Sequence, residues 1–108
     1  MAQNFRRYTA HDVGTSASTL FTADSFDTVV GISVSNITLN TIFVDVYIND
    51  SVNDIYLVKD APIPAGSTLQ VLDGGAKFVV QSGDALKVVS DTATSADVYV
   101  SVVDSISA

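Results

Sequence analysis

Apolar and polar residues alternate with a period of two along most of this chain. In residues 29–36, "VVGISVSN", Val30, Ile32 and Val34 fall on one side and Gly31, Ser33 and Ser35 on the other. That pattern predicts a strand with one face on a core. Residues 41–50, "TIFVDVYIND", set Ile42, Val44, Val46 and Ile48 against Phe43, Asp45 and Tyr47. This second face is too aromatic to suit full solvation. Residues 95–104, "SADVYVSVVD", repeat the alternation, with Val98, Val100 and Val102 opposite Tyr99, Ser101 and Val103.

Shorter β-rich runs lie around these: "STLFTA", "IYLVK", "STLQVL", "KFVVQ" and "ALKVV". They are separated by "DAPIPAG", "DGGA" and "QSGD", which supply the Gly, Pro and Asp that turns require. Pro62 and Pro64 cannot donate to a sheet ladder, so "APIPAG" should run along an edge or cross between sheets, with Gly66 permitting the turn that follows. No stretch carries the i, i+3, i+4 apolar spacing of a helix. The expectation is an all-β chain, a single β-sandwich, jelly-roll-like or Ig-like, with about eight antiparallel strands over residues 15–108. Residues 1–14, "MAQNFRRYTAHDVG", mix aromatics, arginines and the single histidine without sustained alternation, and read as an N-terminal arm outside the sandwich. Deleting that arm should leave a folded sandwich.

Composition narrows the function classes. A chain of 108 residues has room for one domain, and 47% apolar residues supply a core. All twelve acidic residues are aspartate, which favours turns and caps over helix, and the net charge of −7 repels phosphate backbones, so no nucleic-acid partner is expected. The chain has no cysteine, which removes disulfides, thiolate metal sites and cysteine nucleophiles. No apolar run approaches a membrane span and no apolar segment follows the early arginines, so neither membrane insertion nor a standard export signal is expected.

Candidate chemistry is sparse. His11 beside Asp12 is a lone histidine, read as a surface residue of the arm. Asn49, Asp50, Asn53 and Asp54 lack the spacing of an EF-hand loop and read as turn formers, while Asp73, Gly74 and Gly75 read as a hairpin turn. The serines sit in no nucleophile elbow. The expectation is therefore no enzyme, no catalytic residue, no cofactor and no metal. Phe43, Tyr47 and Tyr99 are either covered by the second sheet or form a subunit interface. Phe5, Arg6, Arg7 and Tyr8 combine cations with aromatics in a way that suits docking on an acidic protein surface.

Taken together, "RRYTAHDVGTSASTLFTA", "VVGISVSNITLNTIFVDVYI", "YLVKDAPIPAGSTLQVL" and "FVVQSGDALKVVSDTATSADVYVSVVD" resemble small virion-associated β-sandwich structural proteins of tailed bacteriophages, particularly phages of marine cyanobacteria. The marks are Leu20, Phe21 and Thr22, the strand end from Ile32 to Asn36, residues 62–66, Gly83 with Asp84, and the alternation closing at Val102. Where such proteins often have a Pro-x-Gly turn after the first strand, this chain has Ala23, Asp24, Ser25 and Phe26. The resemblance implies a non-enzymatic virion subunit, made in the host cytoplasm and used in multiple copies. It would dock as a capsid decoration protein or a neck and tail accessory protein, with Phe5, Arg6, Arg7 and Tyr8 as attachment, and a homotrimer is expected by analogy. The alternative is a glycan- or host-receptor-binding module of a phage fibre, with Tyr47, Tyr56 or Tyr99 stacking on a sugar ring, although the chain has no tryptophan.

Overall fold

In the computed structural model, residues 4–23, 27–72 and 78–104 are described. They contain nine strands and no helix: β1 (Asn4–Val13), β2 (Ser18–Thr22), β3 (Asp27–Asn36), β4 (Ile42–Asn49), β5 (Asp54–Ile63), β6 (Thr68–Leu72), β7 (Phe78–Val80), β8 (Ala85–Ser90) and β9 (Ala96–Asp104). One sheet has the order β1-β9-β3-β6, with β7 also on β3, and the other has the order β2-β8-β4-β5. Every pairing is antiparallel. The pairs are nested: β4 with β5, β3 with β6, β2 with β8 and β1 with β9. Rolling that nested ribbon brings β9 onto β3 and β8 onto β4. The β-sandwich expected from the alternation is the fold observed. The turns expected over Asp24 to Phe26 and Asp73 to Gly75 lie outside the described residues.

The core follows from period-two patterning on both inner faces. Ile42, Val44 and Val46 of β4 meet Val98, Val100 and Val102 of β9, with Ile32 and Val34 of β3 and Leu86 and Val88 of β8, all essentially inaccessible to solvent. The phase expected for β3 needs one correction. Its buried apolar side chains are Val29, Ile32 and Val34, and Val30 is only half-buried. The register against β9 shifts between Val29 and Gly31, so a β-bulge inserts Val30 and switches which face the odd positions take. Strict alternation read back from Ile32 cannot detect such an insertion.

The larger correction concerns residues 1–14. From Asn4 to Val13 the chain is not an arm but a ten-residue edge strand, in register with β9 from Asn4 opposite Asp104 to Val13 opposite Ala96. Alternation is hidden because the inward positions are Arg6, Tyr8 and Ala10, opposite Val102, Val100 and Val98. Tyr8 reaches the core with its ring rather than as an aliphatic residue, stacking on Phe21 at 4.5 Å between centroids. Polar and long amphipathic side chains can cover apolar surface without producing a hydrophobic stripe.

The prolines behave as the sequence implies. Pro62 lies in the edge strand β5, and after Ile63 a turn closed by Ser67 N–H to Pro64 C=O (3.1 Å), with Gly66 at φ 71°, delivers the chain to the other sheet. Asn36 fastens that crossing. Its buried amide donates to Ile63 C=O at 2.8 Å and Asn40 C=O at 2.7 Å, and its oxygen accepts from Thr38 N–H and Oγ1, each at 2.8 Å. At the other end of β1, Gly14 lies against the β8–β9 turn: a Cβ there would sit 3.2 Å from Thr94 N and 3.3 Å from Ala93 Cα. Both are backbone atoms, and Gly14 C=O accepts from Ser90 N–H at 2.9 Å. Gly14→Ala is therefore expected to cost about 1–2 kcal/mol by overpacking, read as a lower urea midpoint.

Candidate interaction surfaces

The residues singled out from the sequence do not form one site. On β1, Phe5 and Arg7 point to the outer face, opposite Val103 and Ser101, whereas Arg6 and Tyr8 lie opposite Val102 and Val100 on the core side. Phe5 is 78% exposed, the greatest exposure of any aromatic ring described. The three candidate interface aromatics also separate. Tyr99 faces outward from the five-stranded sheet, while Phe43 and Tyr47 face outward from the other.

On the four-stranded sheet, Tyr47 is buried although it points away from the core. The tilted ring of Tyr56, 5.0 Å away on β5, covers it. Lys59 lies 5.0 Å over the Tyr56 ring and pairs with Asp45 at 3.1 Å, and Asp45 also accepts the Asp60 backbone N–H at 2.7 Å. Burial raises the Tyr47 hydroxyl pKa above its usual value, and the neighbouring Asp54, Tyr56 and Asp45 add to the effect. The ring exposed on this face beside Phe43 is thus Tyr56, which was expected only as a sugar-stacking residue.

On the five-stranded sheet, a shallow hollow of about 280 Å³ lies between Tyr99 and the end of β1, lined by Thr9, His11, Ser33, Ser35 and Asp97. A second hollow on the other side of Tyr99 is lined by Phe5, Arg7, Val30 and Ser101. At the rim of the first hollow, a β-bulge between Ala10 and Val13, with Asp12 at φ 54°, turns His11 toward Asp97 of β9. His11 Nδ1 lies 2.7 Å from Asp97 Oδ1 and Nε2 lies 3.2 Å from Asp12 Oδ2, while Asp97 Oδ1 also accepts Asp12 N–H at 3.1 Å. Among the described residues this is the one group of three side chains close enough to share a metal ion. Both ring nitrogens face carboxylate oxygens, however, and this arrangement suits an imidazolium donating twice better than a metal, which needs a nitrogen lone pair.

The Asp97 hydrogen bond, with the charges of Asp12 and Asp97, raises the His11 pKa. Burial works to raise the Asp97 carboxyl, but the Asp12 amide and His11 outweigh it and hold it below the usual value. A histidine whose folded pKa is raised contributes stability that is complete below its unfolded value near 6.5 and is lost as pH rises through the folded value. The Asp97 contribution is present above the ordinary carboxylate range and fades only as pH falls through its lowered value. His11→Gln should therefore lower the melting temperature relative to wild type more at pH 5.5 than at pH 9. Equal differences at the two pH values would remove the clamp.

The acidic group expected to form a turn does so. Asn49 Oδ1 accepts Ser51 N–H at 3.0 Å, and Asp50 Oδ1 accepts Val52 N–H at 3.0 Å and Asn53 N–H at 2.7 Å. Those two amides hold the Asp50 pKa below its ordinary value. The oxygens that a calcium ion would use thus shape the β4–β5 hairpin.

No protein-family model and no curated protein matches the chain. Among solved structures, the fold is similar to that of a pentameric capsid protein isolated from metagenomic phage sequences, with a TM-score of 0.54 and 17% identity over 94% of this chain. The chain spans 60% of that protein's length. That protein is a pentamer, where the family resemblance had led to the expectation of a trimer.

Proposed function

We propose that this chain is a non-enzymatic structural subunit of a bacteriophage virion, homo-oligomeric and present in multiple copies. The observation that carries the reading is the backbone likeness to a phage capsid protein, which extends over 94% of the chain. The nested strand order supports it. A ribbon of four nested antiparallel pairs rolled into two facing sheets is a jelly roll, an architecture used by viral capsid and lectin domains. Its role would be mechanical: area buried between subunits and against a larger virion protein adds stability to a shell or tube. We assign it as an accessory subunit on the capsid or the neck and tail, in a phage of the cyanobacterial type suggested by the sequence. Phe5 and Arg7 would be the contact residues of β1, with Phe43 and Tyr56 on the opposite face.

Mass spectrometry and cryo-electron microscopy of gradient-purified particles carrying this gene test the reading. The expected result is the chain at a fixed, repeated copy number, on capsid lattice points for a decoration protein or on the neck and tail for an accessory one. Absence from particles would overturn it. A second reading, glycan or receptor binding, is favoured by Tyr99, which is 49% exposed between two hollows, one of them lined by the hydroxyl groups of Thr9, Ser33 and Ser35. It predicts a hit on a glycan array that Tyr99→Ala abolishes.

A further inference from the structure

The two sheets have four lateral edges. β1 and β2 lie on one side of the sandwich and β5 and β6 on the other. β2 and β6 are five residues each, and short edges resist pairing with other chains. β1 and β5 are ten residues each, and among the described residues each is paired on one side only. Both are half protected in the same way. β1 is interrupted near its end by the bulge with Asp12 at φ 54°, and β5 by a bulge with Asp60 at φ 52°, followed by Pro62. The first half of β1 lacks such a guard, and β5 is regular only as far as Tyr56, where a second bulge inserts Leu57 between the Tyr47–Tyr56 and Val46–Val58 pairs; both stretches display apolar side chains, Phe5 at 78% exposure on β1, and Ile55 at 51% and Leu57 at 37% on β5.

The open halves carry opposite charge. Residues 4–10 of β1 contain two arginines and no acid, while residues 54–58 of β5 contain Asp54 and no base, with Asp50 in the turn just before them, in a chain with only five lysines and arginines. Pairing β1 with another β1 would bring arginines close to arginines, and pairing β5 with another β5 would do the same for aspartates, which is unfavourable across a ladder. Pairing β1 with β5 satisfies both edges.

We propose that copies of this chain join head to tail, the first half of β1 in one subunit adding to the first half of β5 in the next by β-strand addition. The proposal rests on the homo-oligomeric reading above and names its interface. The two edges differ, so the contact is heterologous. An open row of copies leaves one unused edge at each of its two ends, so the assembly closes as a ring or grows as a filament.

Because the chain has no native cysteine, introduced thiols report this contact cleanly. Phe5→Cys, Leu57→Cys and the double variant would be treated with a short bismaleimide after sedimentation has fixed their oligomeric state. The expected result is an oligomer in which the double variant gives a ladder extending beyond dimer, while each single variant stays uncrosslinked. Arg7→Glu, at a residue with no ion pair among the described residues, should weaken assembly about tenfold at low salt. A dimer from Phe5→Cys alone or Leu57→Cys alone would mean like edges pair, and would overturn the proposal. An oligomer that gives no ladder would also overturn it while leaving the homo-oligomeric reading intact. A monomer at every concentration would sink that reading and the interface with it.

Discussion

A chain lacking residues 1–13 is expected to lose cooperative folding or to survive only as an aggregating, strongly destabilised species, not as a trimmed sandwich. The deletion removes the whole ladder of β1 on β9. It also takes away Val13, at 1% exposure, and the Tyr8 ring stacked on Phe21, and it leaves Phe21 and Leu20 without their cover from that side. Burying one Val is worth about 1.5–3 kcal/mol, and an aromatic pair adds about 0.5–1.5 kcal/mol beyond area. With Ala10, the loss comes to roughly 3–5 kcal/mol, set against a typical domain stability of about 5–15 kcal/mol. The deletion also turns the apolar strand β9, with Val98, Val100 and Val102, into an open edge. Urea unfolding of the deleted chain, with size-exclusion chromatography for aggregation, reads both effects. A monomeric product with an unchanged midpoint would restore the reading of this segment as a dispensable arm.

Asn36→Ala should be the most costly single substitution outside the hydrophobic core, lowering stability by about 2–4 kcal/mol. The side chain makes four hydrogen bonds while 2% exposed, and it is the polar link between the end of β3 and the end of β5 in the opposing sheet. Alanine leaves the Ile63 C=O and the Thr38 N–H without the partner they use, and each buried orphan costs about 1–3 kcal/mol. For a chain of this size each kcal/mol shifts the melting temperature by about 4–8 °C, so calorimetry should find a fall of at least about 8 °C. Asn36→Asp should be as damaging, because it removes both donors and buries a charge. A fall of less than about 3 °C in both variants would show that the crossing holds without this residue.

The sandwich was legible in the sequence wherever a strand has one aliphatic face. For β4 and β9, the assignments of Ile42, Val44 and Val46, and of Val98, Val100 and Val102, to the core are those observed. Legibility failed where something other than aliphatic alternation set the register. β1 half-buries Tyr8 and Ala10 on its core-facing positions and turns two arginines to opposite sides, so its period is masked by side chains that are amphipathic rather than apolar. At Val30 an inserted residue reverses the phase, and the cue, Gly31 inside a strand, is only visible in hindsight as a bulge marker. The surface residues were chosen by chemistry, and their type was informative while their grouping was not. Tyr99 and Phe43 sit on opposite faces, and Tyr47 is covered by Tyr56, because sequence alternation gives each residue a side of its own strand but not the strand's place in a sheet. The His11 clamp needed a partner 86 positions away, which no local pattern supplies.

The strand order also fixes when this protein can fold during its own synthesis. β9, the last of the described strands, lies between β1 and β3, and β8 lies between β2 and β4. Until β8 has been made the four-stranded sheet exists only as two unconnected parts, the five-stranded sheet remains so until β9 has been made, and β1 has no ladder partner among the strands that follow it most closely. Such an arrangement gives nearly every contact a long sequence separation and makes assembly slow. A nascent chain therefore carries unpaired, valine-rich strands until β9 is made, a period in which chaperone protection or crowding by sister chains decides the yield. Truncation before Ala96 would remove the strand that unites one sheet and leave β1 with nothing to pair on.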